Sequence, residues 1–217
     1  MPEVEKATEV FSKIPNIYDK MNTLMSMGMD VFWRVKLLSL IHSAGIVLDV
    51  GTGTGKLESL NGHLQKFVGI DVTRGMIVLN RNKGRVLLAS ATELPFRRET
   101  FDAVVSAFVL RNLPSTEKYF SEAFNVLRSG GIMANLDAFP ESRRIVKDFF
   151  SLYFYRFIPW IMKATKYAES YEYLSKSVRG FKTPELIADE MQRIGFSDVH
   201  IEKFISPSAA IVYGKKI

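Results

Sequence analysis

The chain contains no cysteine, which excludes disulfides, zinc–thiolate centres and a thiol nucleophile. That fits a cytosolic protein without requiring one. Histidine is almost as scarce. His42 falls at a helix end, His63 in the helix after a glycine-rich turn and His200 in a late strand, and no motif places any of them for catalysis. No metal site is expected. The first residues, MPEVEKATEV, are charged and lack the apolar run of a secretory leader. A membrane span needs roughly 20 apolar residues, and the most aromatic stretch is interrupted by Arg156 and Pro159. The basic excess is modest, +6 from 29 basic and 23 acidic side chains, and it is spread along the chain. Such a spread reads as solvated surface, although the sign also suits an anionic membrane or ligand. With no dense basic stripe, and no Asn-Pro-Pro-Tyr-type motif after the fourth strand, nucleic acid is not an expected partner.

What is present suits one domain of 217 residues, with a 47% hydrophobic share that is ample for a core. Residues 1–43 read as helical, with Asp30 as an N-cap and Val31, Val35, Leu38 and Ile41 recurring at helical spacing. From residue 46 to 137 short β-branched runs (46–50, 67–70, 85–89, 102–107 and 132–136) alternate with amphipathic segments, including 56–64 and 116–127. That alternation predicts an α/β fold, a mainly parallel sheet with helices on both faces. Residues 143–180 break the pattern as an aromatic-rich helical cap interrupted near Pro159. In the closing segment, 183–217, Thr183 caps a helix with Pro184 at its first position and Gly195 at its end. Two strands follow, 198–205 and 209–214. Only Ser206, Pro207 and Ser208 separate them, which demands an antiparallel hairpin.

The sharpest local signal is Leu48-Asp49-Val50-Gly51-Thr52-Gly53-Thr54-Gly55, at the end of the first strand and the start of a helix. Glycines there let the chain turn tightly and let backbone approach a ligand. The spacing is Gly-x-Gly-x-Gly, not the Gly-x-Gly-x-x-Gly of dinucleotide enzymes. It points to the methionine part of a sulfonium nucleoside, with Asp49 near its ammonium. Asp71 ends the second strand 22 residues later, where a carboxylate accepts hydrogen bonds from both ribose hydroxyls. That carboxylate alone does not separate adenosylmethionine from NAD. Ser90 and Ala91, at the end of the third strand, suit a flat adenine ring, with Ser90 facing its exocyclic amine.

Longer motifs carry a family resemblance. Phe101-Asp102-Ala103-Val104-Val105-Ser106, running into Phe108-Val109-Leu110-Arg111-Asn112, resembles the fourth-strand motif of class I methyltransferases. Its Phe-x-Leu-Arg-Asn ending is particular to the ubiquinone/menaquinone-biosynthesis C-methyltransferases, the UbiE-like family. Glu93-Leu94-Pro95-Phe96 and Leu127-Arg128-Ser129-Gly130-Gly131 also match. So do two family signatures, Tyr18-Asp19-Lys20-Met21-Asn22 with Leu24-Met25-Ser26-Met27-Gly28 and Trp33, and Glu169-Ser170-Tyr171-Glu172-Tyr173-Leu174 with Ser177. The resemblance implies a Rossmann-like, seven-stranded, mostly parallel sheet ending in an antiparallel hairpin. It implies S-adenosylmethionine as cofactor, held by Asp49, Gly51, Thr52, Gly53 and Gly55 and, further along, by Asp71, Val72, Ser90, Ala91 and Ser106. Phe108, Asn112 and Tyr171 are then expected to face the acceptor.

The implied reaction is C-methylation of a polyprenylated quinol of demethylmenaquinol type. A ring carbon becomes nucleophilic only when the neighbouring hydroxyl loses its proton, so the site must stabilise a quinolate. Arginine stays protonated up to a pKa of about 12 or more, so Arg111 is expected to be the stabilising cation, with water taking the proton and Tyr18 completing the relay. The other reading of Arg111 is a structural side chain capping strand-end carbonyls. Two departures from the family stand out: Asp137 replaces a common Glu, and Lys56 stands where the family usually has Asp, opposing the helix dipole beside the cofactor. They keep two alternatives open: another small apolar acceptor, or a partner subunit that binds cofactor without turnover. Arg143, Arg144, Lys147, Lys163 and Lys166, around the aromatic cap, favour contact with an anionic membrane surface. The oligomeric state is left open, with a homodimer among the readings.

Overall fold

A computed structural model describes residues 18–62, 65–82, 85–140, 156, 160, 168–204 and 209–217, without the side chains of Tyr18, Ser170, Tyr171, Leu174 and Ser175. Two N-terminal helices, α1 (Tyr18–Met25) and α2 (Asp30–Leu40), lead into β1 (Ile46–Val50). Then come α3 (Lys56–Ser59), β2 (Lys66–Asp71), α4 (Arg74–Leu79), β3 (Val86–Leu88) and β4 (Phe101–Ala107). A 3-10 turn (Leu110–Asn112) precedes α5 (Thr116–Val126) and β5 (Leu127–Ala138). After α6 (Ala168–Arg179) the chain closes with α7 (Pro184–Ile194), β6 (Ser197–Lys203) and β7 (Ala209–Lys215).

The seven strands form one sheet in the order β3-β2-β1-β4-β5-β7-β6. Strands β1 to β5 run parallel, and β7 is antiparallel to both β5 and β6. Because side chains alternate across a strand, the sheet supports two cores. Leu48, Val104 and Met133 point to the face covered by Tyr119, Phe120 and Ala123 of α5 and Ile187 and Met191 of α7. Their neighbours Val47, Ala103, Val105, Ala134 and Leu136 point to the other face, under Trp33, Leu37 and Leu38 of α2.

The end signals of α7 hold: the Thr183 side chain accepts from the Leu186 N–H, Pro184 is at the first turn and Gly195 takes a left-handed φ of 117°. For α2 the sequence expectation needs correction. Met29 occupies the N-cap position, and Asp30 is the first helical residue, with its side chain fully buried. Of the expected stripe, Leu38 and Ile41 are buried and Val31 and Val35 are exposed; the inward face also holds Asp30, Trp33, Arg34 and Leu37. The apolar period alone allowed either face. A buried ion pair, Arg34 Nη1 to Asp30 Oδ2 at 2.7 Å, lets a polar stripe face inward. Helix α3 is also shorter than expected, ending at Ser59. His63, the 143–166 part of the cap apart from residues 156 and 160, with Arg143, Arg144, Lys147, Lys163 and Lys166, and the loop at 206–208 lie outside the described residues.

Candidate cofactor and acceptor site

The sheet order reverses between β1 and β4, and open α/β sheets bind ligands at such a switch point, beyond the carboxyl ends of the strands. A cavity opens there, the kind of concave, largely apolar site that small molecules and cofactors occupy. Its walls are Gly51 and Gly53 after β1, Asp71, Val72, Thr73 and Met76 after β2, Ala89, Ser90 and Ala91 after β3, and Phe108, Val109, Asn112, Leu113 and Pro114 after β4.

The glycine loop is built tightly. Thr52 N–H donates to the Ile70 carbonyl at 2.9 Å, and Gly53 N–H donates to Asp71 Oδ2 at 3.0 Å. Gly51 has φ of 68°, and a Cβ there would stand 2.4 Å from a Val109 methyl. Only glycine meets both conditions. Behind the loop, the fully buried Asn80 donates from Nδ2 to the Gly53 carbonyl at 2.9 Å. Neither Asn80 nor Val109 stood out in the sequence, since no motif marks a loop's backing residues.

Asp49 and Asp71 have different surroundings. Both Asp71 oxygens already accept backbone N–H groups, from Gly53 and from Thr73 at 2.8 Å. Each oxygen keeps a further lone pair. Asp49 lies below the loop, 2% exposed, and its Oδ2 is buried without a hydrogen-bond partner among the described residues. Burial pushes its carboxyl up to about 7, with a Thr52 hydrogen bond and the charge of Arg34 pulling the other way. A buried acceptor without a donor is costly, and a cationic ligand group is the natural counterpart. The donor set therefore fits an amino-acid ammonium at Asp49 and a diol at Asp71. Ser90 and Ala91 line the cavity, and the Ser90 hydroxyl is engaged with Thr92, Oγ to Oγ1 at 3.0 Å.

Ser106 is a correction. It lies fully buried off the cavity and donates to Asn135 Oδ1 at 2.8 Å, an oxygen that also accepts from Tyr119 OH. It shares a face with Val104, and α5 closes over that face. Thr52 and Gly55 belong to the loop and Asp49 lies beneath it, and none of the three lines the cavity wall.

Arg111 sits on the 3-10 turn with its guanidinium in an ion pair with Asp137, both side chains almost fully buried. Its backbone N–H also points to Asp137 Oδ2. Its Nε is buried without a hydrogen-bond partner among the described residues. Burial pushes the Asp137 carboxyl up, and Arg111 opposes that rise. Phe108 separates this pair from the cavity in an unusual backbone state, φ 66°. Arg34 and Arg111 place their guanidinium carbons 4.8 and 5.7 Å from its ring centroid, a cation–π arrangement. Non-glycine residues in this region are strained and cluster at functional sites. Asn112 lines the cavity and accepts from Tyr173 OH of α6 at 3.4 Å. The side chains of Tyr18 and Tyr171 lie outside the described residues.

Lys56 is held. Its ammonium donates to Asp30 Oδ2 at 2.6 Å and to Thr23 Oγ1 at 3.2 Å. Asp30 thus carries both Lys56 and Arg34.

Comparison with known proteins agrees with this arrangement. The profile of the ubiE/COQ5 methyltransferase family matches residues 2–216. A ubiquinone/menaquinone biosynthesis C-methyltransferase UbiE from Desulfotalea psychrophila is 34% identical over 99% of this chain and 91% of its own length. A demethylmenaquinone methyltransferase from Roseiflexus castenholzii is 33% identical over 99% of this chain and 94% of its own. Among solved structures, a SAM-dependent methyltransferase from Thermotoga maritima superposes with a TM-score of 0.69 at 19% identity, covering 96% of this chain and 99% of that one. Its likeness supports the fold. A glycine loop backed by a strand-end carboxylate, the Phe-x-Leu-Arg-Asn turn beside it and a match along almost the whole sequence agree: the chain belongs to the ubiE/COQ5 methyltransferase family.

Proposed function

We propose that this protein transfers a methyl group from S-adenosylmethionine to a ring carbon of a polyprenylated, demethylmenaquinol-like quinol in quinone biosynthesis. The observation that carries the reading is the unpartnered, buried Asp49 oxygen beneath a glycine loop whose cavity runs on to Asp71 and Ser90. Asp49 binds the ammonium, Asp71 the ribose hydroxyls, and Val72, Ser90 and Ala91 enclose the base. The cofactor supplies an activated methyl on a sulfonium. What remains for the chain is to align the acceptor, exclude water and spread the negative charge of the quinolate.

Phe108, Val109 and Asn112 form the acceptor side. Arg111 stabilises the quinolate as a cation behind the Phe108 ring, and Asp137 fixes that guanidinium in place. An arginine so paired cannot act as the base, so water takes the proton, with Tyr18 in the relay. The alternative of an inactive cofactor-binding subunit drew on Lys56 as a stray cation, and its pairing with Asp30 removes that ground. A cytoplasmic enzyme touching the membrane surface suits a lipid acceptor. Met27, in the turn between α1 and α2, and Val31, Phe32 and Val35 on α2 are exposed and available for that contact.

The test is calorimetric titration with adenosylmethionine, its demethylated product and NAD, followed by methyl transfer to a short-chain demethylmenaquinol. Micromolar binding of the first two and turnover of the quinol are expected. Binding without turnover on any quinol would favour the inactive-subunit reading, and binding of NAD alone would overturn the proposal.

A further inference from the structure

The N-terminal helices meet the cofactor loop through charged and hydroxyl groups. Thr54, the fourth residue of the loop motif, donates from Oγ1 to both carboxylate oxygens of Asp19 on α1, at 3.1 and 2.9 Å. Two residues on, Lys56 reaches back to Thr23 of α1 and Asp30 of α2. Arg81, just beyond Asn80, adds a longer contact to Asp19 at 3.7 Å. The central tie is Lys56 to Asp30: the lysine side chain is 16% exposed and the aspartate 0%. A charge-assisted hydrogen bond so shielded from water is among the stronger ones, and breaking one partner leaves the other charge buried.

We propose that Lys56 is a positioning residue for the glycine loop, latching the N-terminal helical pair to it through Asp30, so that cofactor binding and docking of this pair stabilise one another. The inference rests on the cofactor assignment above and adds a coupling to it. Lys56 touches neither the cavity wall nor any reacting group. It acts through Gly55, which precedes it, and through Asp30, which also orients Arg34 against Phe108. One buried carboxylate thereby connects the loop on the cofactor side to the aromatic wall on the acceptor side. Coupling of this kind is reciprocal: if docked helices help the loop hold cofactor, cofactor must help hold the helices.

The experiment compares wild type, Lys56→Met, Lys56→Arg and Asp19→Ala, each first shown to melt cooperatively. Adenosylmethionine affinity is measured by calorimetry, and tryptic cleavage between Lys20 and Met21 is timed with and without adenosylmethionine. Cleavage inside α1 requires the helix to open, so its rate reports docking. In wild type the cofactor should slow cleavage. Lys56→Met should weaken adenosylmethionine binding by about tenfold, the size of one charge-assisted bond, and abolish most of the cofactor's protection. Lys56→Arg should restore both to within about threefold, and Asp19→Ala should show a smaller loss of both. If Lys56→Met does not fold, Asp19→Ala carries the test. Wild-type affinity and wild-type protection in the variants would overturn the latch and leave the cofactor assignment standing. Failure of wild type to bind adenosylmethionine at all would overturn both.

Discussion

At the scale of the residue, Asp49 serves binding at the expense of stability. Its pKa rises from 3.8 unfolded to about 7 in the fold because burial disfavours the charged form. The folded state therefore takes up the proton more readily than the unfolded one. The contribution of this group to stability is full below 3.8 and is lost as the pH rises through 7. Asp49→Asn should stabilise the ligand-free protein by about 1–3 kcal/mol at pH 8 and by almost nothing at pH 4, as read from denaturant melts. Cofactor affinity should behave the opposite way. In wild type it should fall about tenfold per pH unit well below pH 7 as the carboxylate is neutralised, and in Asp49→Asn it should be weak at every pH. Arg111→Ala should cost about 3–5 kcal/mol because it strands the buried Asp137, whereas Arg111→Gln/Asp137→Asn should recover much of the stability and none of the turnover. Denaturation curves and a methyl-transfer assay separate the two effects. The places of Asp49 and Asp71 at strand ends, and of Arg111 just beyond β4, were legible in the sequence because β-branched runs precede each of them. The partner of Lys56 was not. Its sign was readable against a helix dipole, but Asp30 lies 26 positions earlier and meets it only through the fold.

At the scale of the element, the loop after β1 and the turn after β4 are fitted to one another. Gly51→Ala should reduce cofactor affinity by more than tenfold, because the new methyl meets Val109 and the backbone sits at φ 68°. Adding Val109→Ala should return part of that loss. The coupling between the two sites should then exceed about 0.5 kcal/mol in a double-mutant cycle, read from the dissociation constants of all four proteins. Strands and their order of type were legible because β-branched runs and helical spacing differ plainly. The inner face of α2 was not legible, since Trp33, Leu37 and the Asp30–Arg34 pair form a stripe that apolar periodicity alone passes over. Ser106 was misassigned for a related reason. Its place at the end of β4 suggested the cavity, but strand alternation sends it toward Asn135 and Tyr119.

At the scale of the molecule, a ligand bound across the ends of four strands holds together elements from widely separated parts of the chain. Adenosylmethionine at a hundred times its dissociation constant should add about 2.7 kcal/mol, a rise in melting temperature of roughly 5–10 °C for a chain of this size, and NAD should add nothing. Thermal melts at graded ligand concentration check this. Membrane contact is tested by co-sedimentation: the protein should pellet with anionic vesicles at low salt and be released by high salt. The overall architecture was legible in the alternation of strands and helices and in the three-residue gap before the last strand. The position of β7 between β5 and β6 was not, because a hairpin read from sequence fixes a pairing and leaves open which strand of the pair joins the rest. That position bears on how the protein is made. Synthesis is vectorial, and β6 leaves the ribosome before the strand that joins it to the sheet. Until residues 209–215 emerge, β5 presents its long free edge with Leu136 and Ala134 beside it, an open template for another chain. A chain truncated near residue 205 would therefore carry the whole cofactor loop and yet leave that edge open, prone to self-association and a natural client for chaperones.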